Sequence, residues 1–242
     1  MSDAATARTW IIVPAAGGGS RFDDAMPKQY ADLCGAPVLS RTLDRLAAIE
    51  AEAIVVALAP DDVRFDARIG ARGGVLPLRC GGATRAGTVH RALQAIGPRC
   101  SDDDWIVVHD AARPCVPREA LVRLVAALAA DAVGGLLALP LGDTLKRASA
   151  PDDPPRVLRT ESRDRLWLAQ TPQMFRYRLL AAAHGLDAGG DCTDEAQAIE
   201  ALAATGVCDM PRLVRGDAAN LKVTYPGDLA LAAAILRMQG VA

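Results

Sequence analysis

Trp10-Ile11-Ile12-Val13-Pro14-Ala15-Ala16-Gly17-Gly18-Gly19-Ser20-Arg21 is an apolar run that breaks into three consecutive glycines and closes on a cation, with Pro27-Lys28-Gln29-Tyr30 shortly after it. The run reads as a strand buried on both faces. Three glycines remove every Cβ from the turn that ends it, so successive backbone N–H groups can converge on phosphate oxygens. Arg21 and Lys28 add full charges, one a planar fork and one a compact point. Glycines alone would also suit a plain strand-to-helix turn. With the two cations, the stretch predicts a phosphate site, and a triphosphate as its ligand.

Outward from this loop, strand-like runs recur at 53–59, 75–80, 105–109 and 135–139, separated by helical periodicity at 38–49, 84–96 and 118–131. Alternating β and α with continuously apolar strands predicts an α/β fold, a doubly wound, mostly parallel sheet covered by helices. The 242 residues suit a single domain with one core. In such sheets ligands sit beyond the carboxyl ends of the strands, where the strand order reverses. Residues 15–28, 81–88 and 110–113 occupy those positions.

Residues 141–165 break the pattern. They are polar, interrupted by Pro151, Pro154 and Pro155, and carry two short strand signals, which predicts a protruding hairpin acting as an arm or lid. A disordered linker is the plainer alternative, but Val157-Leu158 and Leu166-Trp167-Leu168 need apolar partners that a neighbouring subunit could supply. Beyond the arm, a helix is expected over 176–186, a second helix capped by Thr193 with Asp194 and Glu195 in its first turn, and a strand over 220–224.

A formal net charge of -2 argues against a chain that coats nucleic acid or an anionic membrane through its overall field, so any anion must be held locally. The six cysteines form no C-x-x-C pair and no zinc-like spacing with His90, His109 or His184, and read as reduced, mostly buried side chains. No secretory pattern marks residues 1–9, and the longest uncharged apolar run, 132–142, is far below the roughly 20 residues of a spanning helix. A cytoplasmic protein is expected.

The glycine loop is neither of two familiar phosphate loops. Gly19 is not followed by Lys-Ser or Lys-Thr, and Phe22 stands where the third glycine of a dinucleotide fingerprint would be. Asp110, at the end of a strand and three residues before Arg113, fits metal or hydroxyl binding, or caps a helix ahead of Pro114 and Pro117. Lys222 could mark an edge strand and Arg163 a plain exposed arm. Together, however, Arg21, Lys28, Arg163 and Lys222 place four cations in loops or at strand ends of a slightly acidic chain, which suggests two phosphorylated ligands in one site. Transfer between phosphates needs positioning and charge neutralisation rather than a general base.

The ordered motifs Pro14-Ala15-Ala16-Gly17-x-Gly19-x-Arg21, Pro27-Lys28-Gln29-Tyr30, Val108-His109-Asp110-Ala111-Ala112-Arg113-Pro114, Asp143-Thr144-x-Lys146, Thr171-Pro172-Gln173, Thr193-Asp194-Glu195 and Asn220-x-Lys222-Val223-Thr224 closely resemble the 2-C-methyl-D-erythritol 4-phosphate cytidylyltransferase family of sugar nucleotidyltransferases, over nearly the whole chain. The resemblance implies attack of the methylerythritol phosphate on the α-phosphorus of CTP, with Mg²⁺, giving a CDP-alcohol and pyrophosphate for non-mevalonate isoprenoid synthesis. Arg21 and Lys28 would stabilise charge on the reacting phosphorus and the leaving group. Ala15, Ala16, Gly17, Gly18, Gly19, Gly82, Thr88 and Lys222 would hold the nucleotide. Asp110, Arg113, Thr171 and Thr193 would face the polyol, and Thr144, Arg163 and Lys222 its phosphate. The family's arm crosses to a second subunit, so Thr144 and Arg163 would serve the partner's site in a homodimer. Thr88 stands where a serine is expected, and Ser20 leaves Arg21 without a basic neighbour. A cytidylyltransferase for another polyol phosphate, such as ribitol 5-phosphate, and a nucleotide-binding module without turnover remain the alternatives.

Overall fold

Strand β1 (Thr9–Pro14) sets the layers of the molecule. Its side chains alternate: Ile11 and Val13 enter one apolar cluster, Trp10 and Ile12 another, and all four are fully buried, as the two-residue period of a strand requires. A sheet apolar on both sides needs helices on both sides. The computed structural model describes residues 7–18, 22, 26–149, 154–186 and 192–241. After β1 come a small hairpin of β2 (Asp32–Leu33) and β3 (Ala36–Pro37), then α1 (Val38–Leu46), β4 (Ala53–Ala57), α2 (Arg64–Arg68), β5 (Val75–Leu78) and α3 (Arg85–Ile96). The chain continues through β6 (Trp105–Val108), α4 (Arg118–Leu128), β7 (Gly134–Pro140), β8 (Leu145–Ala148), β9 (Val157–Glu161), β10 (Trp167–Arg176), α5 (Tyr177–Leu186), α6 (Glu195–Ala203), β11 (Arg212–Arg215) and α7 (Asp228–Met238).

Seven strands form one sheet in the order β11-β7-β10-β6-β1-β4-β5. Only β10 runs against its neighbours, pairing antiparallel with both β6 and β7, so the expected mostly parallel sheet is present. Helices α1 and α4 cover one face through Leu39, Leu43, Leu46, Leu121 and Leu124. Helices α3, α5 and α6 cover the other through Leu93, Ile96, Leu180 and Ile199. At roughly 1.5–3 kcal/mol for each large apolar side chain taken out of water, these two layers are the main stabilising contribution. A third cluster joins Leu33, Val38 and Val223 to Leu236 of α7 and seats the segment that carries Lys222.

Three expectations need correction. Residues 220–224 form no strand: Val223 is anchored by its N–H to the Ala112 carbonyl at 2.8 Å and by its buried side chain, so the segment is extended without joining a ladder. Residues 167–176, where the sequence predicts only a connection from arm to helix, are a long central strand whose pairing shifts between Ala169 and Gln173, where the Thr171–Pro172 bond is cis. Asp194, not Thr193, caps α6, accepting from the Gln197 N–H at 2.9 Å. The hairpin expected in 141–165 is present as β8 paired with β9, with Val157 and Leu158 exposed, beside the exposed Leu166, Trp167 and Leu168.

Candidate active site

β1 and β6 are neighbours at the centre of the sheet, and the chain leaves β1 toward β4 and β5 before crossing back to β6, so the strand order reverses between them. The loops that follow these two strands part there and open a cavity of about 600 Å³. One wall is backbone, from Pro14 to Gly18; the others carry Lys28, Gly82 to Arg85, Thr88, Asp110 and Lys222. Nine of the residues that the sequence marked, Ala15, Ala16, Gly17, Gly18, Lys28, Gly82, Thr88, Asp110 and Lys222, thus share one cavity. Gly19 and Arg21 lie outside the described residues.

The cradle is held from behind. Buried Gln29 donates from Nε2 to the carbonyls of Ala15 at 2.9 Å and Gly17 at 3.1 Å. Carbonyls held this way are kept off an anion, which leaves the loop's N–H groups to meet it. A Cβ at Gly17 or Gly18 would meet no atom within 4 Å, whereas one at Gly82 would sit 2.8 Å from the Gly87 carbonyl carbon. The first two glycines therefore border open space, and the third allows the turn before α3 to close. Thr88 completes that turn: its hydroxyl accepts from Gly82 N–H at 3.0 Å and donates to the Thr84 carbonyl at 2.9 Å.

Asp110 is the electrostatic centre. Its Oδ1 meets Arg85 Nε at 3.0 Å, and its Oδ2 meets Lys222 Nζ at 2.9 Å and Arg113 Nε at 3.3 Å. Burial works to raise this carboxyl, but Arg85, Lys222 and Arg113 outweigh it and hold the group far below the usual carboxylate range. Arg85 in turn forks onto fully buried Glu195, with Nη1 and Nη2 at 2.7 and 3.0 Å from the two carboxylate oxygens. Burial would lower the Arg85 guanidinium, and the two acids raise it instead. Two carboxylates thus face three cations, an excess of one positive charge at the cavity's edge.

Behind Asp110 a hydrogen-bonded chain fixes the backbone. Asp110 N–H donates to the Thr171 hydroxyl at 3.0 Å, that hydroxyl pairs with His109 Nδ1 at 3.1 Å, and His109 Nε2 reaches the Arg113 carbonyl at 3.1 Å. The carbonyl can only accept, so Nε2 carries the proton and Nδ1 accepts from Thr171. Burial pushes the His109 pKa down to about 4, and the ring is neutral with both nitrogens occupied.

The remaining marked residues are placed differently. Arg113 does not line the cavity; it braces Asp110 and donates from Nη1 to the Asn220 carbonyl at 2.7 Å. Thr171 is buried beneath Asp110, and Thr193 is occupied with Gln197 at the start of α6. Thr144 and Arg163 are exposed on the arm, where Arg163 contacts the Gly142 carbonyl. Sequence reasoning missed Gln29, Arg85 and Glu195. Arg85 fell within a flagged post-strand turn, but its partner is 110 positions away, and the Thr193-Asp194-Glu195 motif reads as a helix's first turn with nothing to link it to Arg85.

The chain is similar to known proteins over nearly its whole length. The family model described as 2-C-methyl-D-erythritol 4-phosphate cytidylyltransferase matches residues 9–238. The chain is 54% identical over 235 residues to the protein of that name from Dechloromonas aromatica, covering 95% of this chain and 98% of the relative. A solved 4-diphosphocytidyl-2C-methyl-D-erythritol synthase superposes with a TM-score of 0.81 at 36% identity, covering 95% of this chain and 99% of that one. The 2-C-methyl-D-erythritol 4-phosphate cytidylyltransferase of Francisella tularensis superposes with a TM-score of 0.78 at 31% identity, covering 95% of this chain and 100% of that one. A central mostly parallel sheet, a glycine cradle at its reversal point and near full-length similarity converge: the chain belongs to the 2-C-methyl-D-erythritol 4-phosphate cytidylyltransferase family.

Proposed function

We propose that the protein transfers CMP from CTP to 2-C-methyl-D-erythritol 4-phosphate and releases pyrophosphate. The observation that carries this reading is the single cavity in which the backbone cradle of Ala15 to Gly18 faces Lys28, Arg85 and Lys222 around Asp110. An acceptor phosphate oxygen attacks the α-phosphorus, the bond to the bridging oxygen breaks, and pyrophosphate departs with the electron pair. Both phosphates are already ionised near neutral pH, so no base is required, and the buried neutral His109 is not one. Lys28, together with Arg21, neutralises charge that builds on the phosphorus and the leaving group. Lys222 neutralises both phosphates, while Asp110, held from behind by Arg113 and Thr171, receives the polyol.

A single acid among the described residues lines the cavity, Asp110, whose Oδ1 has one cationic partner, Arg85 Nε. One carboxylate beside a triphosphate suits Mg²⁺, which takes few protein ligands and keeps substrate phosphates and water. When bound there, by Asp110 and the phosphates, Mg²⁺ would neutralise triphosphate charge and favour departure of pyrophosphate.

The exposed arm supports a homodimer in which Thr144 and Arg163 reach the partner's acceptor phosphate. Mixing an Arg163→Ala chain with a Lys28→Ala chain should then restore activity at one site per dimer, and no restoration in any mixture would reject the crossing. No helix among the described residues is long and apolar enough to cross a membrane, and the reaction is assigned to the cytoplasm. Acceptor-dependent pyrophosphate release, measured with CTP and Mg²⁺ across a panel of polyol phosphates, tests the whole reading. Preference for ribitol 5-phosphate would replace the acceptor, and background release despite normal CTP binding would replace the enzyme by a binding module.

A further inference from the structure

We infer that Glu195 and Arg85 are positioning residues for acceptor binding: the buried carboxylate locks the guanidinium so that it orients Asp110, and through Asp110 the ammonium of Lys222. The inference rests on the proposed cytidylyl transfer and adds two residues to it. Glu195 is fully buried and does not line the cavity, so it acts only through what it holds. Its own place is set twice over. Asp194 caps the helix it begins, and Gln173 of β10 accepts from the Ala196 N–H at 2.8 Å while donating to Asp194 Oδ2 at 3.0 Å. A carboxylate in the first turn of α6 is also favoured by the helix N-terminus.

From that anchor the geometry runs outward. Both terminal nitrogens of Arg85 are spent on Glu195, at 2.7 and 3.0 Å, which leaves Nε to address Asp110 Oδ1 at 3.0 Å. A two-pronged grip fixes the plane of the guanidinium. With Oδ1 held, Oδ2 is turned to Lys222 at 2.9 Å and Arg113 at 3.3 Å. Lys222 retains further N–H groups at the edge of the cavity, where two polyanions must be accommodated.

Glu195→Gln separates positioning from simple charge, because the two predict opposite signs. It removes a negative charge near the site, and a field effect alone would tighten binding of an anionic acceptor. Loss of the grip instead frees Arg85 to turn and releases Asp110 and Lys222, so the acceptor KM should rise about tenfold or more; the KM for CTP should rise by less, because the backbone cradle of Ala15 to Gly18 also holds the triphosphate. Arg85→Lys is the second variant: it keeps the positive charge but offers one point donor where a fork is needed, and the same rise in acceptor KM is expected. Both are assayed as full-length protein by pyrophosphate release, with thermal unfolding as the check on folding, so either folded variant decides the matter. A folded variant with unchanged or lowered acceptor KM overturns the inference. Absence of acceptor-dependent release in the unaltered protein overturns instead the function on which it rests.

Discussion

Replacing Gln29 with glutamate keeps the shape of the side chain and reverses its chemistry. The amide nitrogen that donates to the carbonyls of Ala15 and Gly17 becomes an oxygen facing two other oxygens in a buried position. Two hydrogen bonds at about 1 kcal/mol each are lost, and the carbonyls are left unpaired or must swing away, which adds a desolvation cost of about 1–3 kcal/mol. A total of about 3–5 kcal/mol divides between unfolding and displacement of the loop. At roughly 2–4 °C per kcal/mol for a chain of this size, Tm should fall by up to roughly 6–20 °C, according to the share that appears as unfolding. Displacement turns carbonyls toward the space where the triphosphate binds, so the KM for CTP should rise about tenfold or more with little change for the acceptor. The sign with pH follows: a protonated carboxyl can donate to one carbonyl, so the folded chain favours the protonated form above the ordinary glutamate pKa of about 4.3, and the defect grows as pH rises. Thermal unfolding and CTP titrations of pyrophosphate release measure both effects. A variant with the Tm and the CTP KM of the unaltered protein would refute the clamp.

Lys28→Ala should lower kcat by about 10²-fold or more, because its contact strengthens as charge moves to the leaving group; unchanged turnover would remove it from the chemistry. His109 should make stability pH-dependent: between its ordinary value of about 6.5 and its depressed value of about 4, the unfolded chain takes up a proton that the folded chain refuses. Stability is then fully present above that window and falls by about 3 kcal/mol as pH drops through it. Urea unfolding of the unaltered protein and of His109→Gln, at about pH 7.5 and pH 4.5, should show this loss only with the histidine, and parallel losses would exclude it.

The strands near the start of the chain were legible because each is apolar on both faces: 10–14, 53–59, 75–80 and 105–109 match the strands found, β1, β4, β5 and β6, within two residues at each end. β10 was not, because its exposed half, Trp167 and Leu168, reads as part of the arm and its buried half contains Pro172, which argues against a central strand. β11 is short, begins and ends on arginine and is buried only at Val214, so no period of two stands out. Lys222 was found for the right charge but the wrong element, since Asn220 to Thr224 has strand-like residues and no ladder. The cradle could be read locally, as glycines followed by cations. The bracing of Asp110 could not, because Arg85 and Lys222 reach it from distant parts of the chain and Glu195 grips Arg85 from a third.

The insertion of β10 between β6 and β7 has a consequence for synthesis on the ribosome. Four adjoining strands, β5, β4, β1 and β6, are complete once residue 108 is available, but the chain's next strand cannot lie beside them. The edge Trp105 to Val108, four apolar residues whose outward N–H and C=O groups are meant for β10, stays unpaired until Arg176 has also emerged. Such an edge is a template for strands of other nascent chains. The interval between those two points is when a growing chain is most exposed to aggregation, and when a chaperone has most to protect.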